Sequence, residues 1–279
     1  MAVNLATKYS AKVDERFKLK SLTEAFVNHD YDWEGVQTLH VYNIDTVALN
    51  NYDRTASSNR YGTPGELGDV DTYYTLSQDK SFTFIIDKGN KVDSMNVRGA
   101  GKALQREIDE VIVPTKDMYR LRQIAYAAAE NGHFGNGSIT KANAYEKFLD
   151  GQKTLDNLKV PITGRVAAIS ATFYSLIKQD STFIKSGDLS QRMLVNGQVG
   201  EIDGVKLIRV PDSYLPTNCQ FIITHPSVTV AAEKLVDYKV HDNPPGINGN
   251  LVEGRLYYDA FVLEGKKDGV YAHFTSGSM

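Results

Sequence analysis

The chain has 279 residues, 42% of them hydrophobic and 23% charged, which predicts one large or two modest domains and excludes global disorder. Lys and Arg number 31 against 34 Asp and Glu, a net charge of −3, which excludes a uniformly basic nucleic-acid binder. The single cysteine, Cys219, excludes an intramolecular disulfide framework and a cysteine-ligated structural zinc.

Residues 1–35 read as an N-terminal arm. Lys8, Lys12, Arg16, Lys18 and Lys20 cluster around Asp14 and Glu15, and the apolar positions Val13, Phe17, Leu19 and Leu22 are too irregular for a helix. The absence of a basic-then-apolar leader and of a run of about 20 apolar residues predicts a soluble, intracellularly made protein without membrane partners. Val36 to Ile44 alternates as a strand, and Ser81 to Asp87 reads as its partner, with Phe82, Phe84 and Ile86 on one face. Val47 to Gln78, between them, has turn residues, charges and tyrosines but no period. Ordinary connections run about 4–6 residues. Tyr52, Tyr61, Leu67, Tyr73 and Tyr74 also give it more apolar area than a disordered linker, which predicts a long hairpin arm that packs on a partner.

From Asn90 the period becomes helical. Ala100, Leu104, Ile108 and Val111 or Ile112 form a stripe, Pro114 breaks that helix or opens the next, and Thr115 to Glu130 follows with Met118, Leu121, Ala125 and Ala128 on one side. Asn131-Gly132 is a stop signal. A third helix is expected over Lys141 to Asn157, with Tyr145, Phe148, Leu149 and Leu155 as its apolar face. Strands are expected at Arg165 to Ser170, Gly204 to Val210 and Gln220 to Thr224, and a short helix at Thr172 to Gln179. Pro226 is expected to open a helix through about Asp237. The strands Arg255 to Leu263 and Gly269 to Phe274 are expected to meet in a hairpin through Asp268-Gly269. The whole predicts an α+β fold with mixed sheets.

Catalytic motifs fail on inspection. Gly99-Ala100-Gly101-Lys102-Ala103 lacks both the upstream glycine and the hydroxyl residue of a phosphate loop, and reads as helix-packing glycines. The Gly132 to Gly137 stretch has Thr140 where a dinucleotide fingerprint needs its third glycine. Asp69, Asp71 and the Asp30, Asp32, Glu34 group lack calcium-loop spacing. No Gly-x-Ser-x-Gly occurs, Cys219 reads as a buried structural thiol, and His225 before Pro226 reads as a cap. No paired acid–base constellation supports an enzyme, and no cofactor or metal site is expected.

Several stretches taken in order resemble the major capsid proteins of tailed bacteriophages, with the Hong-Kong-97-type coat fold, and most of all the subgroup from phages of Gram-positive bacteria. They are residues 8–17; Asp30-Tyr31-Asp32-Trp33-Glu34-Gly35-Val36; Ser58-Asn59-Arg60-Tyr61-Gly62-Thr63-Pro64-Gly65-Glu66-Leu67; residues 81–90; Glu110-Val111-Ile112-Val113-Pro114; residues 160–166; and Gly254-Arg255-Leu256-Tyr257-Tyr258-Asp259-Ala260-Phe261-Val262. The resemblance implies an N-terminal arm over 1–35, an extended loop over 36–80, a peripheral domain with a long spine helix over 81–140, an axial domain over 141–250, and C-terminal strands, 251–279, returning to the peripheral domain. It implies self-assembly into hexamers and pentamers of an icosahedral shell around double-stranded DNA, built in the host cytoplasm. A separate scaffolding protein, a portal at one vertex and a decoration protein are the partners it implies. The family's autocatalytic cross-link is not carried over, because its lysine, asparagine and glutamate positions are not matched here.

Within that frame Arg54, Arg60, Glu66 and Asp69 are expected to form inter-subunit ion pairs, with Tyr61 and Leu67 anchoring the loop tip. The Lys8, Lys12, Arg16, Lys18 and Lys20 arm is the candidate contact to DNA, otherwise held weakly and without sequence preference. The rival readings are an encapsulin-type nanocompartment shell and an α+β enzyme using Asp and Glu.

Overall fold

The structure is a computed structural model that describes residues 21–28, 38–44, 46–93, 99–181 and 200–276. The expected DNA-facing residues Lys8, Lys12, Arg16, Lys18 and Lys20, and the acidic group Asp30, Asp32, Glu34, lie outside them. The chain divides into two compact units, one of residues 33–76 and one of residues 1–32 with 77–279. Among the described residues no helix is long and apolar enough to cross a membrane.

The smaller unit is a two-stranded antiparallel ribbon of β1 (Thr38–Ile44) and β2 (Asp69–Thr75), in register from Thr38 opposite Thr75 to Ile44 opposite Asp69. This corrects the expected pairing of 36–44 with 81–87. The alternation Val70, Thr72, Tyr74 is masked in the sequence by the intervening Asp71 and Tyr73, so β2 reads there as loop.

The larger unit holds two sheets. β3 (Gln78–Asp87) is an edge of a three-stranded antiparallel sheet ordered β3-β10-β9, with β9 over Thr229–Asp242 and β10 over Gly249–Val262. The expected helix after Pro226 is therefore one 3-10 turn, Pro226–Val228, and then a 14-residue strand. Its run Thr229-Val230-Ala231-Ala232 is short-range compatible with either state. Thirteen ladder pairs to β10 settle nothing locally but decide the outcome globally, the usual tertiary override. α1 (Lys88–Asp93) follows β3, started by Asp87 Oδ1, which accepts from the amides of Gly89 at 2.8 Å and Asn90 at 3.2 Å.

The spine of the unit is helical from α2 (Ala100–Glu107) through a π turn (Ile108–Ile112) into α3 (Val113–Glu130). Pro114 sits in the first turn of α3, directly after the π turn. After α3 come β4 (Phe134–Asn136), α4 (Ala144–Asn157), β5 (Val166–Ser170), α5 (Ala171–Ile177), β6 (Glu201–Ile202), β7 (Val205–Val210), β8 (Cys219–Thr224) and β11 (Val270–Phe274). The strands form a six-stranded mixed sheet ordered β4-β11-β8-β5-β7-β6. β10 and β11 belong to different sheets and are joined by the 3-10 segment Glu264–Gly269, so the hairpin expected at Asp268-Gly269 does not form.

Both faces of the larger sheet are covered, and period 2 divides the core. Val166, Ala168, Ile222, Val270, Ala272 and Phe274 face α3 through Leu121, Ile124, Ala125 and Ala128. Ala167, Ile169, Phe221, Ile223 and Tyr271 face α4 and α5 through Phe148, Leu155, Phe173 and Ile177. Burial on both sides is why 166–170 reads as an unbroken apolar run. The expected inward position Leu149 is at the surface, and Gly151 and Gln152 are buried in its place.

Residues 21–28, inside the segment read as an N-terminal arm, are ordered on the larger unit. Thr23, Phe26 and Val27 are buried, and Asn28 pairs in parallel with Val230 on β9. Asp117 holds this segment to α3. Its carboxylate accepts from Ser21 Oγ at 2.8 Å, Leu22 N at 2.8 Å and Thr23 Oγ1 at 2.5 Å. Arg120, one turn on, donates to Thr23 at 3.1 Å and pairs with Glu24 at 2.7 Å and Glu233 at 3.3 Å, and Glu233 also takes Lys116 at 2.6 Å.

Two predictions follow from this packing. Asp117→Ala strands three donors and should lower the free energy of unfolding in urea by about 3–5 kcal/mol, the cost of breaking a buried charged network. His273, buried against Phe221 at 5.3 Å, has its pKa lowered from 6.5 by burial, only partly offset by the hydrogen bond to Gly137 O. The folded state thus holds the neutral ring, and the unfolded chain takes up the proton first. Its contribution is complete above pH 6.5 and is lost as the pH falls towards the folded value. Urea midpoints should drop from pH 7.5 to 5.5, and drop less in His273→Gln.

Candidate assembly surface

The tip of the smaller unit, residues 46–68, lacks regular strand or helix and is built from local polar contacts. Asp53 organises one turn. Its Oδ1 accepts from Thr55 N at 2.8 Å, Thr55 Oγ1 at 2.6 Å and Ala56 N at 3.3 Å, and these bonds, the hydroxyl's foremost, lower its pKa. Asp53 N donates to Arg60 O at 3.0 Å, and Arg60 Nε donates to Ala56 O at 2.7 Å. Gly62, at φ 95°, closes a second turn by donating to Asn59 O at 2.9 Å. Tyr61 meets Tyr52 edge-on with ring centroids 4.9 Å apart, and its carbonyl accepts from Asn50 Nδ2.

These bonds define a shape without burying it. Tyr61 is 83% exposed and Leu67 53%, and Val47, Leu49, Tyr52 and Tyr73 are exposed as well. Exposed large apolar side chains thus recur along one 44-residue unit, and Tyr52 and Tyr61 among them touch.

The expected contact residues divide accordingly. Arg54, Glu66 and Asp69 make no ion pair among the described residues, and Leu67 presents its side chain to solvent. Arg60 is committed in part to Ala56 and Tyr61 in part to Tyr52. Both partners lie in the same loop, so the contacts shape the tip.

Elsewhere the residues weighed for chemistry serve structure. Gly99 caps α2. Cys219 is buried, and burial pushes its thiol up to about 12, far from a nucleophile's range. His225 Nδ1 accepts from Ser227 N at 3.3 Å and caps the 3-10 turn. Among the described residues no three His, Cys, Asp or Glu side chains cluster as a metal site would require. A groove of about 900 Å³ lies between α3 and residues 213–218, lined by Met118, Arg122, Tyr126, Leu215, Pro216 and Phe274. Arg122, on its wall, is turned onto the Tyr126 hydroxyl, with bonds of 2.8 and 2.5 Å.

No family model matches the sequence, and no curated protein matches it. Solved structures do. A structure from Mycobacterium phage Che8 superposes with a TM-score of 0.76 at 19% identity, covering 99% of each chain. The capsid of the cyanophage P-SCSP1u superposes at 0.75 and 13% identity, over 98% of this chain and 93% of that one. The chain has the α+β Hong-Kong-97-type coat fold. The mature capsid of bacteriophage PhiM1 is similar too, at 0.73 and 12% identity over 96% of this chain and 91% of that one. Coverage this complete at such low identity means that topology is shared while most residues are not.

Sequence reasoning missed Asp117, Arg120 and Asp259. A signal existed for the first, because Asp117 stands on the same helical stripe as Leu121, Ile124 and Ala128. Since the tip residues are exposed, Tyr61→Ala and Leu67→Ala should each shift the urea unfolding free energy of the isolated subunit by less than about 0.5 kcal/mol.

Proposed function

We propose that the chain is the major capsid protein of a tailed bacteriophage, assembling into hexamers and pentamers of an icosahedral shell around double-stranded DNA. The full-length coincidence of its fold with phage capsid structures carries the reading. The exposed apolar tip of the smaller unit supports it independently, since that surface has the chemistry of a contact awaiting a partner. A coat subunit has a structural role, and no step of chemistry is assigned to it.

In this reading residues 1–35 are the arm, 36–80 the extended loop, 81–140 the peripheral domain with its spine helix, 141–250 the axial domain, and 251–279 a return. The sheets favour one amendment. β9 pairs with β10 and so goes with the peripheral elements, while β11 goes with the sheet of β5, β7 and β8. Arg54, Glu66 and Asp69 are proposed to pair with charges on neighbouring copies, Arg60 through the guanidinium nitrogens it does not spend on Ala56, and Tyr61 and Leu67 to anchor the tip. Each contact is weak. Closure multiplies them, as linked binding events raise effective concentration.

The partners proposed with it are a scaffolding protein, a portal at one vertex, a decoration protein and weakly held DNA. Lys8, Lys12, Arg16, Lys18 and Lys20 are the contacts proposed for the DNA. A Gram-positive host is proposed on the sequence stretches alone. The particle is proposed to form in the host cytoplasm and to end in the virion.

Deleting residues 50–67 tests the reading. The shortened chain should stay folded by circular dichroism and sediment as a small species under conditions where the full chain forms shells. Normal shells from the deletion would refute it.

A further inference from the structure

We propose that Asp259 is a positioning residue that fixes the root of the hairpin unit. Ser77 is the first residue of the larger unit after the hairpin, and it lies one residue outside the β3–β10 ladder, whose last pair is Gln78 opposite Tyr258. The sheet therefore provides no acceptor for the Ser77 amide. Asp259 Oδ2 takes it at 2.7 Å. The other oxygen, Oδ1, accepts from the Tyr119 hydroxyl on α3 at 2.7 Å and from Ala260 N at 2.7 Å. Ser77 Oγ closes the triangle, 3.3 Å from the Tyr119 oxygen, and accepts from Gln78 Nε2 at 3.0 Å.

The local fold explains why a carboxylate sits there. The β9–β10 register slips by one residue between the Tyr257–Leu235 and Tyr258–Glu233 pairs, a bulge of the kind that re-aims side chains. Immediately after it Asp259 is buried, and the Tyr119 ring meets Tyr258 edge-on at 5.8 Å, holding the phenol in reach. Bonds to an ionised acceptor are the strong kind. One carboxylate thus ties together strand root, spine helix and β10. The consequence for assembly rests on the coat reading: a fixed departure point lowers the ordering cost of docking the hairpin on another copy.

Amide hydrogen exchange on the full-length, unassembled chain tests the latch directly, with Asp259→Asn and Tyr119→Phe as variants. In Asp259→Asn the Ser77 amide should exchange roughly tenfold faster or more, and less so in Tyr119→Phe, while β5 and β8 amides keep wild-type rates. Wild-type exchange at Ser77 in both variants, or acceleration spread equally over β5 and β8, would overturn it. Shell formation is scored in parallel. Fewer closed particles from the fast-exchanging variant supports the positioning role, and wild-type yields overturn it. If the unsubstituted chain forms no shells, the coat reading fails and the exchange data alone decide the latch.

Discussion

The first two turns of α3 carry the constraint on which the larger unit depends. Within five residues Lys116, Asp117, Tyr119 and Arg120 bond to three separate parts of the chain, residues 21–24, Glu233 and Asp259. Asp117 and Arg120 are buried, and charges out of water are tolerated only when their bonding capacity is filled. The sequence of α3 therefore commits residues 21–24, Glu233 and Asp259 to fixed places. An all-apolar helix would pack on the sheet as well but would dictate none of those partners. The opposite end of the same helix is ordinary, with Leu121, Ile124, Ala125 and Ala128 filling the core and Asn131-Gly132 ending it.

This arrangement separates what the subunit completes alone from what it leaves open. The larger unit buries two apolar clusters on the two faces of one sheet and ties the buried charges of Asp117 and Arg120 to partners of its own. The strands of the hairpin unit are paired and its tip is shaped by Asp53, Arg60 and Gly62, yet Leu49, Tyr61 and Leu67 remain in water. A chain built for a monomeric life would gain by replacing them with polar residues. In the proposed shell they are the surface through which one copy meets the next.

The sequence made some of this legible and hid the rest for physical reasons. Helices α2 and α3 showed through because a 3.6 period survives partial exposure, and 166–170 because two-sided burial demands continuous apolar residues. β9 was hidden since its alternation is interrupted by Glu233-Lys234 at the bulge and its opening follows a proline that favours a helical first turn. The partner of β1 was hidden because pairing across a 24-residue tip has no local signature, whereas 81–87 offered a cleaner alternating face. At the tip, exposure of Tyr61 and Leu67 was foreseeable from the lack of a period. That Arg60 and Tyr61 spend part of their bonding capacity inside the loop was not, because a turn held by Asp53 is a matter of backbone geometry. The burial of Phe26 and Val27 was missed since the apolar spacing before them is irregular and their partners lie more than ninety residues away on α3.

Cryo-electron microscopy of particles formed by the purified full-length chain is the most direct measurement of whether identical copies complete this subunit. The account predicts closed shells in which Tyr61 and Leu67 of each copy are covered by a neighbouring copy. A chain that stays a discrete small species at high concentration, or shells in which that tip faces solvent on every copy, would contradict it.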